Sequence, residues 1–321
     1  MKLVSFIHGG KEGCGLAVGE EIFPLAALGD GLPATMAYLL EGGPAAMEAV
    51  CRAHDAVVRG DHAEKAIRGA RLLAPVPRPA SCRDAYAFRQ HVETARRNRG
   101  LGMVPEFDRF PVFYFTNHRA VYGPGYIPCM PLHLEQLDYE LEVAVVLNRE
   151  GRNIPADAAD GYIAGYMVMN DFSARGLQLE EMKLSLGPAK GKDFATAFGP
   201  WLVTPDELEP YRVPTPAGHI GRVYDLTMRA FLNGEEYSRG SLAAMHWTFA
   251  EIIERASYGA TLYPGDVIGS GTVGTGCLLE LNGTARLADP AHADRWLRPG
   301  DTVELEVTGL GRLTNTITLE H

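Results

Sequence analysis

The 321-residue chain has no stretch of 18 apolar residues, no C-x-x-C pair and no excess of positive charge. Without a long apolar run, nothing in it reads as a membrane-spanning helix, and the opening MKLVSFIHGGKEGCG has no apolar block of signal-peptide length. The five cysteines, Cys14, Cys51, Cys82, Cys129 and Cys277, are an odd number, which suits a reducing compartment better than a disulfide framework. A cytoplasmic protein is expected. Lys and Arg number 30 against 40 Asp and Glu, a formal charge of -10. Such a field repels nucleic acid and anionic lipid, so neither is an expected partner, and an anionic substrate needs a local cation or metal. Two catalytic fingerprints are also missing: the G-x-x-x-x-G-K-[ST] phosphate loop and the G-x-S-x-G elbow of serine hydrolases.

What is present is an ordinary globular balance, 46% hydrophobic and 22% charged, which excludes a fibrous or disordered chain. Residues 2–7 and 15–18 read as a hairpin across HGGKEGC, and 44–68 as a helix interrupted near Gly60. The three prolines of LLAPVPRPAS (72–81) favour extended backbone and mark a boundary between a small N-terminal domain, 1–72, and the remainder, 73–321. After it, 84–100 has the composition of a helix closed by Gly100. Strands then dominate, at 111–115, 138–147, 161–169, 200–203, 223–232, 265–270, 277–282 and 302–308, with helices at 173–185 and 243–257.

The stretch Asp138-Tyr139-Glu140-Leu141-Glu142-Val143-Ala144-Val145 is the most informative. On a strand, Glu140 and Glu142 project together, while Tyr139, Leu141, Val143 and Val145 form the opposite face. Two like charges on one face repel unless Lys or Arg, bulk water or a divalent cation sits over them. Asn170-Asp171 ends the apolar run GYIAGYMVM just before Ser173, a good helix N-cap, so Asp171 lies at a strand-to-helix junction where functional carboxylates often sit. An all-oxygen set suits Mg2+, Mn2+ or Ca2+ and argues against Zn2+. If 84–100 is helical, Asp84 and His91 lie two turns apart on one side of it. Lys190 and Lys192 in GPAKGKDFATAFGP offer positive charge for a substrate carboxylate.

These residues together resemble the fumarylacetoacetate hydrolase superfamily. The resemblance runs from Asp84 to Gly283 and rests on DAYAFRQH, DYELE, NDFSARGLQ, GPAKGKDFATAFGPW, GSGT and GCLLE, in that order. It implies an α+β, strand-rich fold, a mixed β-sandwich roll with a small N-terminal domain, usually assembled as a homodimer. It also implies that Asp84, Glu140, Glu142 and Asp171 are ligands of a divalent cation, Mg2+ foremost, with Lys192 and Thr196 flanking them. His91 then matches a general base oriented by Glu280, with Lys192 and Gln178 as oxyanion donors. Arg175, Tyr114, Thr272 and Arg99 match or neighbour substrate-contacting positions. The chain departs from true fumarylacetoacetases at Gly100, where they carry arginine, and at Met182, where they carry tyrosine.

The expected activity is metal-dependent hydrolysis of a carbon–carbon bond in a β-diketo acid, a fumarylacetoacetate- or acylpyruvate-like product of aromatic or related catabolism. The alternatives are a decarboxylase, isomerase or hydratase of the same superfamily, acting on oxaloacetate or a 2-hydroxydienoate, and a non-catalytic binding protein retaining the fold. The segment from Asn98 to Phe110, basic and glycine-containing, is a candidate lid.

Overall fold

The architecture follows from strand Leu141–Leu147, all of whose residues are buried in the computed structural model, which describes residues 1–320. A strand covered on both sides needs two cores. Leu141, Val143, Val145 and Leu147 enter one, Ala144 and Val146 the other. The protein is a strand-rich α+β fold built on two large sheets.

The larger sheet runs, in order of pairing, through Glu21–Pro24, Lys11–Val18, Lys2–His8, Thr196–Val203, Ile163–Asp171, Leu141–Leu147, Val267–Gly269, Cys82–Ala85 and Phe113–Phe115. Most pairs are antiparallel, but Val267–Gly269 and Cys82–Ala85 run parallel, so the sheet is mixed. The smaller sheet joins Glu235–Ser241, Thr227–Leu232, Thr302–Val307, Gly311–Leu319 and Gly125–Cys129. Its Met228, Ala230, Leu305, Leu313 and Ile317 share the first core with Val143 and Val145. The second core lies on the far side of the larger sheet. There Ala144, Val146, Met167 and Met169 meet Leu39, Leu40 and Val50 from helices Met36–Glu41 and Gly43–Val58.

The expected boundary after residue 72 is crossed by backbone pairing: Lys2 faces Val203 and Leu3 faces Leu202, so the first strands extend the larger sheet. Two expected elements change type. Residues 82–85 form a strand, and the helix spans only Arg89–Arg97. Pairing on both edges, with Val267–Gly269 and Phe113–Phe115, overrides the helical composition around Asp84. Gly100 does close that helix, at φ +72 with its N–H on Arg97 O at 2.9 Å and the next N–H on Arg96 O at 2.9 Å. Residues 277–282, expected as strand, begin helix Leu278–Ala288. The short apolar run CLLEL is compatible with either state. Asp138 decides it, accepting the N–H groups of Leu278 at 2.7 Å and Leu279 at 3.0 Å. Among the described residues no helix is long and apolar enough to cross a membrane.

Candidate active site

Register across the larger sheet assembles the carboxylates. Asp84 pairs with Gly269 on one side and Tyr114 on the other. Gly269 faces Ala144, two residues beyond Glu142, and Glu142 faces Met169. Asp171, two residues beyond Met169, faces Thr196. Directly paired residues project to the same side of a sheet, so Asp84, Tyr114, Glu142, Asp171 and Thr196 stand on one face. Glu140 joins them just before its strand begins, its backbone N–H donating to Asn170 Oδ1 at 3.0 Å. Asp84 and His91 therefore meet from a strand and a helix rather than along one helix.

Asp84, Glu140 and Glu142 each bring one oxygen within 4.8 Å of the others, and all three are buried. Asp171 is engaged by Lys192 Nζ at 2.8 Å and by the Tyr114 hydroxyl, with Thr196 Oγ1 at 3.5 Å. Lys192 Nζ also donates to Glu140 Oε2. Arg175, 3% exposed, donates from Nε to Asp138 Oδ2 at 2.9 Å, from Nη2 to Glu140 Oε1 at 2.7 Å and from Nη1 to Gln178 Oε1 at 2.9 Å. Thr272 Oγ1 donates to Glu142 Oε1 at 3.4 Å, and Gly271 N–H to Asp84 Oδ1 at 3.0 Å. The run Gly269-Ser270-Gly271-Thr272-Val273-Gly274 has the G-x-G-x-x-G spacing of a dinucleotide loop. Here it wraps Asp84 and opens no helix, since the next one starts at Leu278.

Five buried carboxyl groups, Asp84, Asp138, Glu140, Glu142 and Asp171, thus face two buried cations, Lys192 and Arg175. The electrostatics record the deficit. Burial opposes ionisation of Glu140, but the charges of Lys192 and then Arg175 prevail and lower its carboxyl to about 2. Asp84, pushed by burial and then by the charge of Asp171, rises to about 8. Burial, followed by the charges of Asp84, Glu140 and Asp171, holds Glu142 well above the carboxylate range. Glu142 Oε2 is buried without a hydrogen-bond partner among the described residues. An unpartnered buried oxygen inside an all-oxygen donor set with too little positive charge fits a hard divalent cation such as Mg2+.

This arrangement fixes a pH dependence. A carboxyl whose folded-state pKa lies above its unfolded value holds more protons when folded, so its contribution to stability is complete below the unfolded pKa and is lost as pH rises through the folded one. For Asp84 that window runs from the ordinary 3.8 to about 8. In chelator, the thermal midpoint is expected to fall as pH rises across this window. Saturating Mg2+ removes most of the slope, because the cation replaces the protons. A slope that is the same with and without Mg2+ would contradict the assignment. A second expectation concerns Gly269, where an added Cβ would collide with Asp84 Oδ1. Gly269→Ala is expected to weaken Mg2+ binding on the order of 10-fold or more by calorimetry, as loss of ligand orientation does.

Beside the carboxylates lies the second constellation. His91 Nδ1 and Glu280 Oε2 are 2.6 Å apart, and both residues are buried. The other oxygen of Glu280 accepts the Thr275 N–H at 3.0 Å, and Asn98 Nδ2 donates to its backbone carbonyl at 3.0 Å. Asp138 connects the two halves: it caps the helix that carries Glu280 and receives the Arg175 that braces Glu140. Sequence reasoning gave Asp138 no role, because the helix end it caps lies 140 residues away. It also missed Tyr86, whose ring packs edge-on against His91 with centroids 5.7 Å apart. The adjacency of Tyr86 to Asp84 in DAYAFRQH was the available signal. Arg99 is exposed and donates to Ala95 O at 3.0 Å. The candidate lid is tethered near its far end, where Trp247 Nε1 donates to Phe107 O at 2.9 Å and Arg89 pairs with Asp108.

A buried carboxylate cluster that could hold a metal ion thus lies beside a buried His–Glu pair on the mixed-sheet scaffold. The family model for the C-terminal domain of fumarylacetoacetate hydrolase matches residues 81–318. The chain belongs to the fumarylacetoacetate hydrolase family. It is 33% identical over 215 residues to a fumarylacetoacetase of Oryza sativa, covering 58% of this chain and 48% of that one. It is 31% identical over 191 residues to a 4-hydroxyphenylacetate degradation bifunctional isomerase/decarboxylase of Salmonella dublin, covering 60% of this chain and 37% of that one. The chain thus spans half or less of the length of these two relatives. The solved fumarylacetoacetate hydrolase of Exiguobacterium antarcticum shares the fold over 100% of both chains, with a TM-score of 0.69 at 23% identity.

Proposed function

We propose that the protein hydrolyses a carbon–carbon bond in a β-diketo acid of the acylpyruvate or fumarylacetoacetate type. The observation that carries this reading is the buried His91–Glu280 pair at 2.6 Å, a base with its orienting carboxylate beside the acidic site. Such a pair can take the proton from a water that adds to a carbonyl, the step that hydrolysis requires.

Asp84, Glu140, Glu142 and Asp171 would hold a divalent cation, which would supply Lewis-acid polarisation of the dicarbonyl when bound. Glu280 holds the proton of His91 on Nδ1, leaving the Nε2 lone pair free to take a proton from water. The hydroxide adds to the acyl carbon, and the bond to the neighbouring carbon breaks with its electron pair passing to the enol fragment. That fragment then takes a proton, which the Nε2–H of His91 can return. Burial works against the charged form of Lys192 by lowering its pKa, but the charges of Asp171 and Glu140 prevail, raise it and keep the ammonium. An ammonium has three donors, and two of those of Lys192 are engaged, which leaves one for the developing oxyanion. Gln178 accepts from Arg175 through Oε1, so its amide NH2 is free to donate as well.

A decarboxylase or isomerase reading has support in the Salmonella relative. Glu280→Gln separates hydrolysis from decarboxylation. Hydrolysis is expected to lose about 10²-fold or more in kcat, because the amide no longer fixes the imidazole tautomer. Full retention of turnover in that variant, with oxaloacetate as the substrate used, would favour the alternative.

A further inference from the structure

We propose that His91, Cys277 and Glu280 form a second metal site, selective for a thiophilic ion of the zinc class, and that its occupation switches the enzyme off. One ligand atom from each residue lies within 4.8 Å of the other two, and all three side chains are buried. Nitrogen, sulfur and carboxylate oxygen form a donor set that zinc favours, whereas the neighbouring all-oxygen set suits Mg2+. The two sites therefore select different ions.

Among the described residues nothing else uses the Cys277 thiol. The residue stands in extended backbone just before helix Leu278–Ala288, and the capping that this position would supply comes from Asp138 instead. Its side chain enters no hydrogen bond among the described residues, and it is fully buried. The carboxylate arm is already oriented, since Thr275 N–H holds Glu280 Oε1 at 3.0 Å and leaves Oε2 toward His91. With metal–ligand lengths of about 2.0–2.2 Å, a tetrahedral ion separates nitrogen and oxygen ligands by roughly 3.3 Å. The His91–Glu280 contact, at 2.6 Å, opens by less than an ångström to admit it.

The consequence is specific to the tautomer. An ion bound at Nδ1 displaces the proton shared with Glu280, and a second proton leaves the Cys277 thiol. The imidazole that remains carries its one proton on Nε2, the position the reaction needs as an acceptor. His91 then cannot take a proton from water. The inhibition rests on the reading of His91 as the base, whereas the binding site does not.

The test uses the full chain with a large excess of Mg2+, so that the carboxylates are occupied. Titrated Co2+ is expected to give a thiolate-to-cobalt charge-transfer band in the near ultraviolet, lost in Cys277→Ser and Cys277→Ala. Titrated Zn2+ is expected to inhibit turnover at one equivalent, with no relief from a further tenfold rise in Mg2+. Both variants are expected to keep basal activity and to need on the order of 10–100-fold more Zn2+ for the same inhibition. Absence of the cobalt band in the wild-type protein would overturn the site. So would Zn2+ inhibition that Mg2+ relieves and that Cys277→Ala leaves unchanged, which would put zinc on the carboxylates. A cobalt band without any zinc inhibition would uphold the site and overturn the switch together with the role of His91.

Discussion

Replacing His91 with alanine is expected to lower kcat for hydrolysis of an acylpyruvate by about 10²–10⁴-fold, the range that a positioned general base contributes. Binding of Mg2+ is expected to survive. The hydrogen-bonding partner of His91 is Glu280, whereas the cation site is built from carboxylates held by Lys192, Arg175, Tyr114, Thr272 and the Gly271 N–H. Stability is expected to fall as well, because Glu280 Oε2 is left buried without its partner while Oε1 keeps the Thr275 N–H and the backbone carbonyl keeps Asn98. Parallel measurements of turnover and of Mg2+ binding by calorimetry check both halves. Undiminished hydrolysis in the variant would remove His91 from the mechanism, and a loss of Mg2+ binding would mean that the two constellations cannot be separated.

Arg175→Leu is expected to act on stability before it acts on substrate. Its guanidinium is closed in by Asp138, Glu140 and Gln178, and only 3% of the residue is exposed. Removing it leaves Asp138 and Glu140 buried without their shared cation, a loss of about 3–5 kcal/mol for a broken buried pair. Asp138 also caps the helix that carries Glu280, so the variant is expected to loosen the base as well as the cation site. The midpoint of urea unfolding checks this. A variant that unfolds like the wild type but shows a raised KM would instead make Arg175 a substrate contact, the role that family resemblance implied for it.

Some of this organisation could be read from residues alone. The period of two in DYELEV puts Glu140 and Glu142 on one side, and Tyr139, Leu141, Val143 and Val145 do share the opposite core. Asp171 ends its strand as expected, and Gly100 closes its helix. What stayed hidden depends on partners distant in the chain. Asp84 becomes a strand residue because Val267–Gly269 and Phe113–Phe115 flank it, and no local pattern announces that pairing. CLLEL becomes helical because Asp138 reaches its first N–H groups. The first strand joins the larger sheet through pairs that span about 200 residues, such as Lys2 with Val203. Arg175 is a brace rather than an open contact for the same reason: its two carboxylates, on another segment, converge only after folding.

The central claim is that the buried His91–Glu280 pair and the adjacent cation site together hydrolyse a diketo acid. The most direct measurement follows loss of the enol absorbance of acylpyruvates, fumarylacetoacetate and oxaloacetate, with Mg2+ or with chelator, and identifies the products by mass spectrometry. The account predicts Mg2+-dependent loss of a diketo acid, with one carboxylic acid and one keto fragment formed in equal amounts. Turnover of oxaloacetate alone, with the diketo acids untouched, would contradict it.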